Sequence, residues 1–412
     1  MRPAFHFTAR QGWINDPHGI TARDGGYDVF FQFVPDSTVW APGCRWGHAT
    51  GPDLVSLAEL PVAIAPGEGD DGIWTGSLVQ GDDGQARAFY TATTAADFAI
   101  GRVRVATPSD PGWVSWRKGP VVVEAPAGLE LLAYRDPFVV REGEGWRMFV
   151  GAAGADGTAM ALGYRSADLD TWTYDGVALA RSTAERDPVW LGSLWECPQV
   201  IEVDGVHAMV SSVWDQDVLH YAAYALGGYA SGRFDATAWG RLSYGPSYYA
   251  PSFFRDGQGR PCLLFWMRGV EDLEAGWAGA HSVPYVLGVE RDRLVAAPHP
   301  DLERYRAPAV ADGVVPGSAA DIEWSPREGA TLMVTSAGEL VLEVSAGGEV
   351  LRARAAGQVH EMPFDGGQVR VILDAQTVEI SCSSGLLGLV SRPSGEWLHI
   401  RADDVTVHPL AR

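Results

Sequence analysis

Short stretches of β-branched and aromatic residues recur along the chain and predict an all-β protein. Five clear examples are YDVFFQF at 27–33, RAFYTAT at 87–93, WRMFVGA at 146–152, HAMVSSVW at 207–214 and PCLLFWM at 261–267. Glycine, aspartate and proline separate these stretches, and no convincing run has the period of an amphipathic helix. We therefore expect strands joined by turns throughout the chain.

These stretches belong to a repeat, because each follows a turn and an earlier strand that opens on a polar or aromatic group. The openings contain Asp16, Trp74, Asp136, Glu196 and Ala250, which lie about 60 residues apart. Five near-equal units of about four strands predict a five-bladed β-propeller. The innermost strand of each blade would then line a central channel.

The pattern changes near residue 305. Residues 306–319 are rich in alanine, proline and glycine and are predicted to form a linker. Residues 320–412 contain short strands with a period of two, such as ELVLEV at 339–344 and VRVIL at 369–373. This pattern of short alternating strands is typical of a small β-sandwich. The sequence thus predicts a catalytic propeller at 1–305 and a β-sandwich domain at 320–412.

The charge balance narrows the range of partners. The chain has 31 Lys and Arg against 52 Asp and Glu, a formal net charge of −21. Such a surface repels phosphate backbones and anionic lipids, so we expect no nucleic-acid or membrane partner. The 16 tryptophans offer flat faces suited to a small sugar substrate. The oligomeric state does not follow from the sequence.

The cysteines and the N-terminal residues indicate a simple intracellular protein. Cys44, Cys197, Cys262 and Cys382 are widely spaced without a C-x-x-C pair, so we expect buried thiols and neither a metal site nor a cofactor. The first residues lack the apolar stretch of a signal peptide. A cytoplasmic location is the expectation.

Three of the five strand openings carry a carboxylate, namely Asp16, Asp136 and Glu196. A proline follows each of them directly or one residue later, and we expect it to hold its predecessor in extended backbone. Because the openings converge near the propeller axis, the three carboxylates are predicted to share one pocket. Paired carboxylates in a pocket suit glycoside hydrolysis.

Tryptophans flank the same openings and are candidates for stacking on sugar rings. They are Trp13, Trp40, Trp74, Trp195 and Trp266.

The motifs around these openings occur in a recognisable order. They comprise WINDPHG at 13–19, FFQ at 30–32, WGHAT at 46–50, WTGS at 74–77, RDP at 135–137, ECP at 196–198 and YAP at 249–251. In the second domain, Asp374 and Glu379 match a D-x-x-x-x-E pattern. Together these motifs resemble glycoside hydrolase family 32, the invertases, inulinases and levanases, over essentially the whole chain.

The resemblance implies a role for each carboxylate. Asp16 would be the nucleophile, Glu196 the general acid/base, and Asp136 would hold the fructosyl hydroxyls and stabilise the transition state. It also implies a substrate-binding set that consists of Asn15, Gln32, Trp40, Trp74, Thr75, Arg135, Cys197, Tyr249 and Trp266. His18 stands where the family signature has asparagine, and we expect a turn residue hydrogen-bonded to a neighbouring strand.

The expected reaction is retaining exo-hydrolysis, without a cofactor. Terminal β-D-fructofuranose would leave sucrose or a short fructo-oligosaccharide through a covalent fructosyl-enzyme. Several alternatives stay open: exo-levanase or exo-inulinase activity, fructosyl transfer on fructans, an inverting arabinosidase or xylosidase, and a catalytically silent carbohydrate-binding propeller. A phosphorylated substrate such as sucrose 6-phosphate would need a basic rim, for which Arg45, Arg181 and Arg186 are candidates.

Overall fold

The computed structural model describes every residue from Met1 to Arg412, and its regular structure is almost entirely β-strand. This confirms the all-β prediction. The one helix is a 3-10 helix at Pro300–Tyr305. Nothing helical in the chain has the length and apolar character needed to cross a membrane.

The strands up to residue 298 form five successive antiparallel units. The first contains Gly12–Arg23 (β1), Gly26–Val34 (β2), Arg45–Gly51 (β3) and Ala58–Ile64 (β4). The second contains Gly72–Gln80 (β5), Ala86–Thr94 (β6), Asp97–Pro108 (β7) and Trp116–Val123 (β8). The third contains Leu131–Glu142 (β9), Gly145–Gly154 (β10), Thr158–Ser166 (β11) and Thr173–Ser182 (β12).

The last two units follow the same plan. The fourth contains Leu194–Val203 (β13), Val206–Asp215 (β14), Val218–Ala230 (β15) and Arg233–Arg241 (β16). A two-residue strand, Ser243–Tyr244 (β17), precedes the fifth unit. That unit contains Tyr248–Arg255 (β18), Pro261–Asp272 (β19), Trp277–His281 (β20), Tyr285–Glu290 (β21) and Arg293–Pro298 (β22).

The first strands of the units lie side by side. Each of β1, β5, β9 and β13 contacts the first strand of the next unit, and β18 contacts β1. Strand β20 of the last unit also pairs in parallel with β1, where Gly12 lies opposite Trp277. Residues that open these five strands are therefore brought toward one another.

The remaining strands form two six-stranded sheets. One contains β17 with Ala319–Trp324 (β24), Val369–Asp374 (β29), Thr377–Cys382 (β30), Gly385–Val390 (β31) and Val405–Pro409 (β33). The other contains Val314–Pro316 (β23), Thr331–Ser336 (β25), Glu339–Gly347 (β26), Val350–Ala355 (β27), Gln358–Pro363 (β28) and Trp397–Arg401 (β32).

Both faces of strand β29 are buried, although its side chains alternate. Val369, Val371 and Leu373 point into the core between the two sheets. Ile372 points the other way, into a core shared with strands of the five units. The region formed by the two six-stranded sheets therefore packs directly against the five units.

Part of the segment 306–319 is not a linker. Val314–Pro316 forms a strand that pairs with β32, and Val315 is fully buried. Apolar burial and three ladder positions hold this stretch in the second sheet. A strand of three residues is too short to produce a periodic signal in the sequence.

Candidate active site

The first strand of every unit has a bulge at an equivalent place. Its pairing with the second strand shifts register between Ile14 and Pro17, Trp74 and Gly76, Arg135 and Phe138, Glu196 and Gln199, and Tyr249 and Ser252. Bulged residues leave the hydrogen-bond ladder and turn their side chains in a new direction. Each unit therefore has one extra residue in its first strand at an equivalent position.

Three of the bulged residues contradict the expected extended backbone before proline. Asp136, Cys197 and Ala250 have φ of 66°, 50° and 45°, in the left-handed region. Such conformations cost about 1–3 kcal/mol each and persist only where the surroundings fix them. Here the freed backbone N–H groups donate to side chains: Asp136 to Thr91 Oγ1 at 2.8 Å and Ala250 to Ser212 Oγ at 3.0 Å.

The bulges bring Asp16 and Asp136 to one place. The Cys197 thiol lies between them, with Sγ 3.8 Å from Asp16 Oδ2 and 3.7 Å from Asp136 Oδ2. The Cys197 backbone N–H also donates to Asp136 Oδ2 at 3.1 Å. Burial and the neighbouring carboxylates raise the pKa of the Cys197 thiol, so it stays protonated and serves as a weak donor.

Asp16 is held by neutral donors. Thr75 Oγ1 donates to Oδ2 at 2.7 Å, and Asn15 Nδ2 donates to Oδ1 at 3.0 Å. Gln32 donates to Thr75 and lies 3.4 Å from Asp16 Oδ2. Burial raises the pKa of Asp16 to about 6, and the charge of Glu196 adds to this, while the Thr75 and Asn15 hydrogen bonds oppose it.

Asp136 has a raised pKa for a similar reason. Its side chain is buried, and Glu196 and Asp16 lie close enough to disfavour a further negative charge, although Arg135 acts in the opposite direction. Because these carboxyls titrate together, the proton belongs to the cluster rather than to one residue. The cluster thus retains a proton above the pH at which an isolated aspartate has lost it.

Glu196 is the one carboxylate with a cationic partner. Arg135 donates to Oε1 through Nε at 2.9 Å and Nη2 at 2.8 Å, and the Tyr249 hydroxyl donates to Oε2 at 2.6 Å. The Arg135 guanidinium lies 5.9 Å from the Trp74 ring centroid and 5.6 Å from that of Trp214. These contacts fix the orientation of the carboxylate.

The carboxylates open onto a cavity of about 620 Å³. Most of the predicted substrate-binding residues line it: Asn15, Gln32, Trp40, Trp74, Arg135, Tyr249 and Trp266. Gln32 Oε1 and Trp266 Nε1 are buried and have no hydrogen-bond partner, so an acceptor and a donor are free at this wall. Thr75 and Cys197 border a small cavity beneath it instead. The volume is suited to a small ligand.

Trp195 does not reach the cavity, contrary to the sequence interpretation. Its side chain is fully buried in a core cluster, and its indole N–H donates to the Leu191 carbonyl at 3.1 Å. Adjacent residues of a strand point to opposite faces, so the turn of Glu196 toward the site sends Trp195 away from it. Trp13 does line the cavity.

His18 also differs from its predicted role. It lies within β1 rather than in a turn, packs against Trp46 with ring centroids 4.1 Å apart, and neither ring nitrogen has a hydrogen-bond partner. Burial lowers its pKa well below the usual value for histidine. His18 is therefore a neutral core residue.

Several residues outside the predicted set line the cavity as well. Phe98, Leu132, Trp214, Asp217 and Leu219 also line the cavity. They come from β7, β9, β14, β15 and the turn between the last two, outside the motifs. The motifs do not identify these residues, because their position at the cavity depends on the length and course of each hairpin.

One cluster outside the cavity has the composition of a metal site. Ligand atoms of Asp256, Cys262 and His299 all lie within 4.8 Å of one another. However, Asp256 Oδ2 already accepts from Arg260 Nε at 2.5 Å and pairs with His299 Nε2 at 3.0 Å. Since a guanidinium group fills the position a cation would take, the cluster does not suit a metal ion.

A protein-family model matches most of the chain. This family model is described as "Glycosyl hydrolases family 32 N-terminal domain", and it matches residues 6–298. Sucrose-6-phosphate hydrolase of Escherichia coli is 30% identical over 324 residues, covering 74% of this chain and 66% of that protein. The chain therefore spans just under two thirds of the length of this relative.

Solved structures share the fold. A mutant GH32 β-fructofuranosidase of Bombyx mori in complex with sucrose aligns with a TM-score of 0.86 and 23% identity, covering 100% of this chain and 94% of that one. Fructan 1-exohydrolase IIa of Cichorium intybus aligns with a TM-score of 0.82 and 20% identity, covering 100% and 97%. The chain belongs to glycoside hydrolase family 32.

Proposed function

We propose that this protein is a retaining exo-β-fructofuranosidase that releases terminal fructose from sucrose or short fructo-oligosaccharides. The observation that carries the proposal is the meeting of Asp16, Asp136 and Glu196 beside a sugar-sized cavity, with a single guanidinium among them. The names of similar proteins agree with it: sucrose-6-phosphate hydrolase, β-fructofuranosidase and fructan exohydrolase.

Asp16 is the nucleophile in this proposal. With a pKa of about 6, its carboxylate is mostly charged at neutral pH. The Thr75 and Asn15 donors fix its orientation without neutralising it. It attacks the anomeric carbon of the fructosyl group as the bond from that carbon to the leaving oxygen breaks, which forms a covalent ester.

Glu196 is the general acid and then the general base. It gives a proton to the leaving oxygen in the first step and takes one from water in the second, when water releases the fructosyl group from Asp16. Arg135 and Tyr249 hold its two oxygens. This role requires that Glu196 carry a proton when the leaving group departs.

Asp136 binds the fructosyl ring. Its carboxyl is buried and has a raised pKa, so it can hydrogen-bond to sugar hydroxyls as donor or acceptor. The free Gln32 Oε1 and Trp266 Nε1 add one acceptor and one donor for the same hydroxyls. This side of the cavity therefore receives the terminal fructose.

The proposed architecture is a five-bladed propeller at residues 1–305 and a sandwich at 320–412. Five units with matching bulges support the blade count. The contacts between successive first strands, and between β18 and β1, support closure around an axis.

The test is fructose release from sucrose, 1-kestose, inulin and levan by the purified protein beside its Asp16→Ala variant. Release from sucrose and 1-kestose that disappears in the variant is the expected result. Faster release from inulin or levan would favour an exo-fructanase instead. Absence of release from all four overturns the proposal, and arabinosides and xylosides then become the next substrates.

A further inference from the structure

The cavity wall has two chemically different parts. Its polar part consists of Asn15, Asp16, Gln32, Arg135, Asp136 and Glu196, all at or beside the bulged strand openings. A second part, here called the outer wall, consists of Trp40, Phe98, Ala99, Leu132, Trp214, Asp217 and Leu219. Six of these seven residues are apolar. A fructosyl group at the carboxylates would place its leaving group against the outer wall.

Apolar side chains of the outer wall stay open to solvent. Leu132 is 62% exposed and Trp40 is 44% exposed. Two further exposed apolar residues are next to the outer wall in sequence: Val39, before Trp40, is 66% exposed, and Val218, after Asp217, is 52% exposed. Clustered exposed apolar groups around a cavity mark a binding surface, because apolar side chains left in water do not stabilise the folded protein. The apolar faces of a neutral sugar ring match such a surface.

The single cation of the cavity wall is already paired with a carboxylate. Arg135 is the only basic residue of the wall, and its Nε and Nη2 both contact Glu196 Oε1. The only charged residue of the outer wall is Asp217, which is exposed and negative. A sugar phosphate carries about −1.5 to −2 charges at neutral pH, so it would meet repulsion without a compensating partner.

The basic residues proposed from the sequence for a phosphate do not reach the site. Arg45 lies 3.5 Å from Asp36, outside the cavity. Arg181 is buried, where it donates to the Asp187 carbonyl and packs 4.7 Å from the Trp239 ring. Arg186 lies 5.9 Å from the Trp190 ring. None of the three lines the cavity.

We propose that the outer wall selects neutral leaving groups, so that this chain acts on unphosphorylated fructosides and discriminates against sucrose 6-phosphate. This inference rests on the proposed function and separates the chain from the relative named for the phosphorylated substrate. Discrimination has two sources: contact of a neutral sugar with Leu132, Leu219 and the aromatic rings, and repulsion of a phosphate by Asp217.

The first test compares kcat/KM for sucrose and for sucrose 6-phosphate at low and at high salt. We expect kcat/KM for the phosphorylated substrate to be about fivefold lower at low salt, because the repulsion of an exposed charge pair at close range is worth about 1 kcal/mol. Added salt should narrow the difference, since it screens an exposed charge. Equal or faster cleavage of sucrose 6-phosphate overturns the inference and leaves the proposed hydrolysis intact.

The second test places a cation on the outer wall. Asp217→Arg and Leu132→Arg, both at exposed positions, should each raise the sucrose 6-phosphate to sucrose ratio of kcat/KM about tenfold. Asp235→Arg makes the same change in net charge as Asp217→Arg at an exposed position of β16, away from the cavity, and should leave the ratio unchanged.

If both outer-wall variants behave like the wild type, the outer wall does not set the preference and the inference fails. If no fructoside at all is cleaved, the proposed function fails first, which the sucrose arm shows directly. The two failures are therefore distinguishable within one set of assays.

Discussion

Two buried carboxylate clusters in this molecule differ in how their charges are compensated. The cavity cluster has three carboxyls, Asp16, Asp136 and Glu196, and one guanidinium. The second cluster, here called the joint cluster, lies where the N-terminal segment meets the second region, and it pairs Asp374 and Glu379 with His6.

The joint cluster is fully hydrogen-bonded. Asp374 accepts from the backbone N–H groups of Ala4 at 2.8 Å and Phe5 at 2.6 Å, and contacts His6 Nδ1 at 2.8 Å. Glu379 contacts His6 Nε2 at 2.7 Å and accepts from the hydroxyls of Tyr248 and Tyr285. Burial alone lowers the pKa of His6, but the two carboxylates outweigh it and raise it to about 9.

The difference teaches that burial does not by itself make a carboxylate reactive. In the joint cluster, every carboxylate oxygen has a donor and the His6 imidazolium compensates one of the two negative charges, so ionised groups are stable and join two regions of the chain. In the cavity cluster the charges are not matched in this way, so the pKa values of Asp16 and Asp136 rise and a proton is retained. Unmatched buried acids beside a cavity are the arrangement expected of a catalytic site.

The largest expected effect follows from replacing Asp16. Asp16→Asn should lower kcat/KM for sucrose at least about 10⁴-fold, because the nucleophile is lost. Its free energy of unfolding at pH 7 should be equal to or higher than that of the wild type, because a disfavoured buried charge disappears. Fructose release and urea denaturation measure the two quantities. A variant that keeps full activity, or that unfolds readily, contradicts the account.

The opposite pattern is expected in the joint cluster. Glu379→Gln should lower the free energy of unfolding by about 3 kcal/mol, since breaking a buried ion pair leaves a partner uncompensated. Its kcat/KM should stay near the wild-type value at temperatures where the protein is folded. Glu396→Gln, at an exposed position of the second region, is the matched control and should change neither. A stable Glu379→Gln variant with low activity would reverse the assignment of the two clusters.

A smaller effect is expected at the edge of the cavity cluster. Tyr249→Phe removes the hydroxyl that donates to Glu196 Oε2 at 2.6 Å. A hydrogen bond to a charged group contributes about 1.5–3 kcal/mol, so kcat/KM should fall about 10- to 100-fold. Tyr174→Phe, at a side chain that is 38% exposed, is the control. Unchanged kinetics for Tyr249→Phe would show that Glu196 does not depend on this contact.

The most gradual effect is on stability against pH. The pKa of His6 is raised from 6.5 to about 9, so the folded state binds the proton more tightly than the unfolded state. The stabilisation is complete below pH 6.5 and is lost as pH rises through 9. Denaturation from pH 6 to pH 10 should show this decline in the wild type and less of it in His6→Gln. A wild-type protein that gains stability over this range would contradict it.

The repeat made the catalytic candidates visible in the sequence. Asp16 and Asp136 lie within the bulges of their units, and Glu196 lies directly before the bulge of its own unit. A repeated fold brings such positions together. The left-handed backbone of Asp136 was not predictable, because the usual preference before proline points to extended geometry. It is the bulge, fixed by Thr91 on a different strand, that overrides this preference.

Other features depended on contacts distant in sequence. Trp195 was interpreted as a cavity residue because it is next to Glu196 in sequence. Adjacent residues of a strand point to opposite faces, and this rule alone places Trp195 in the core, where it lies. Leu132, Asp217 and Leu219 reach the cavity only through the course of their hairpins, which no local pattern encodes. The strand Val314–Pro316 depends on pairing with β32, so its composition looked like a linker.

The most direct test of the central claim is to trap the fructosyl-enzyme and locate it. Glu196→Gln would be mixed with a β-fructofuranoside that has a nitrophenol leaving group, which departs without an acid, then quenched, digested and analysed by mass spectrometry. The account predicts the mass of one fructosyl group on the peptide that contains Asp16. A fructosyl group on Asp136 instead, or rapid formation of fructose of inverted configuration with no adduct, would contradict it.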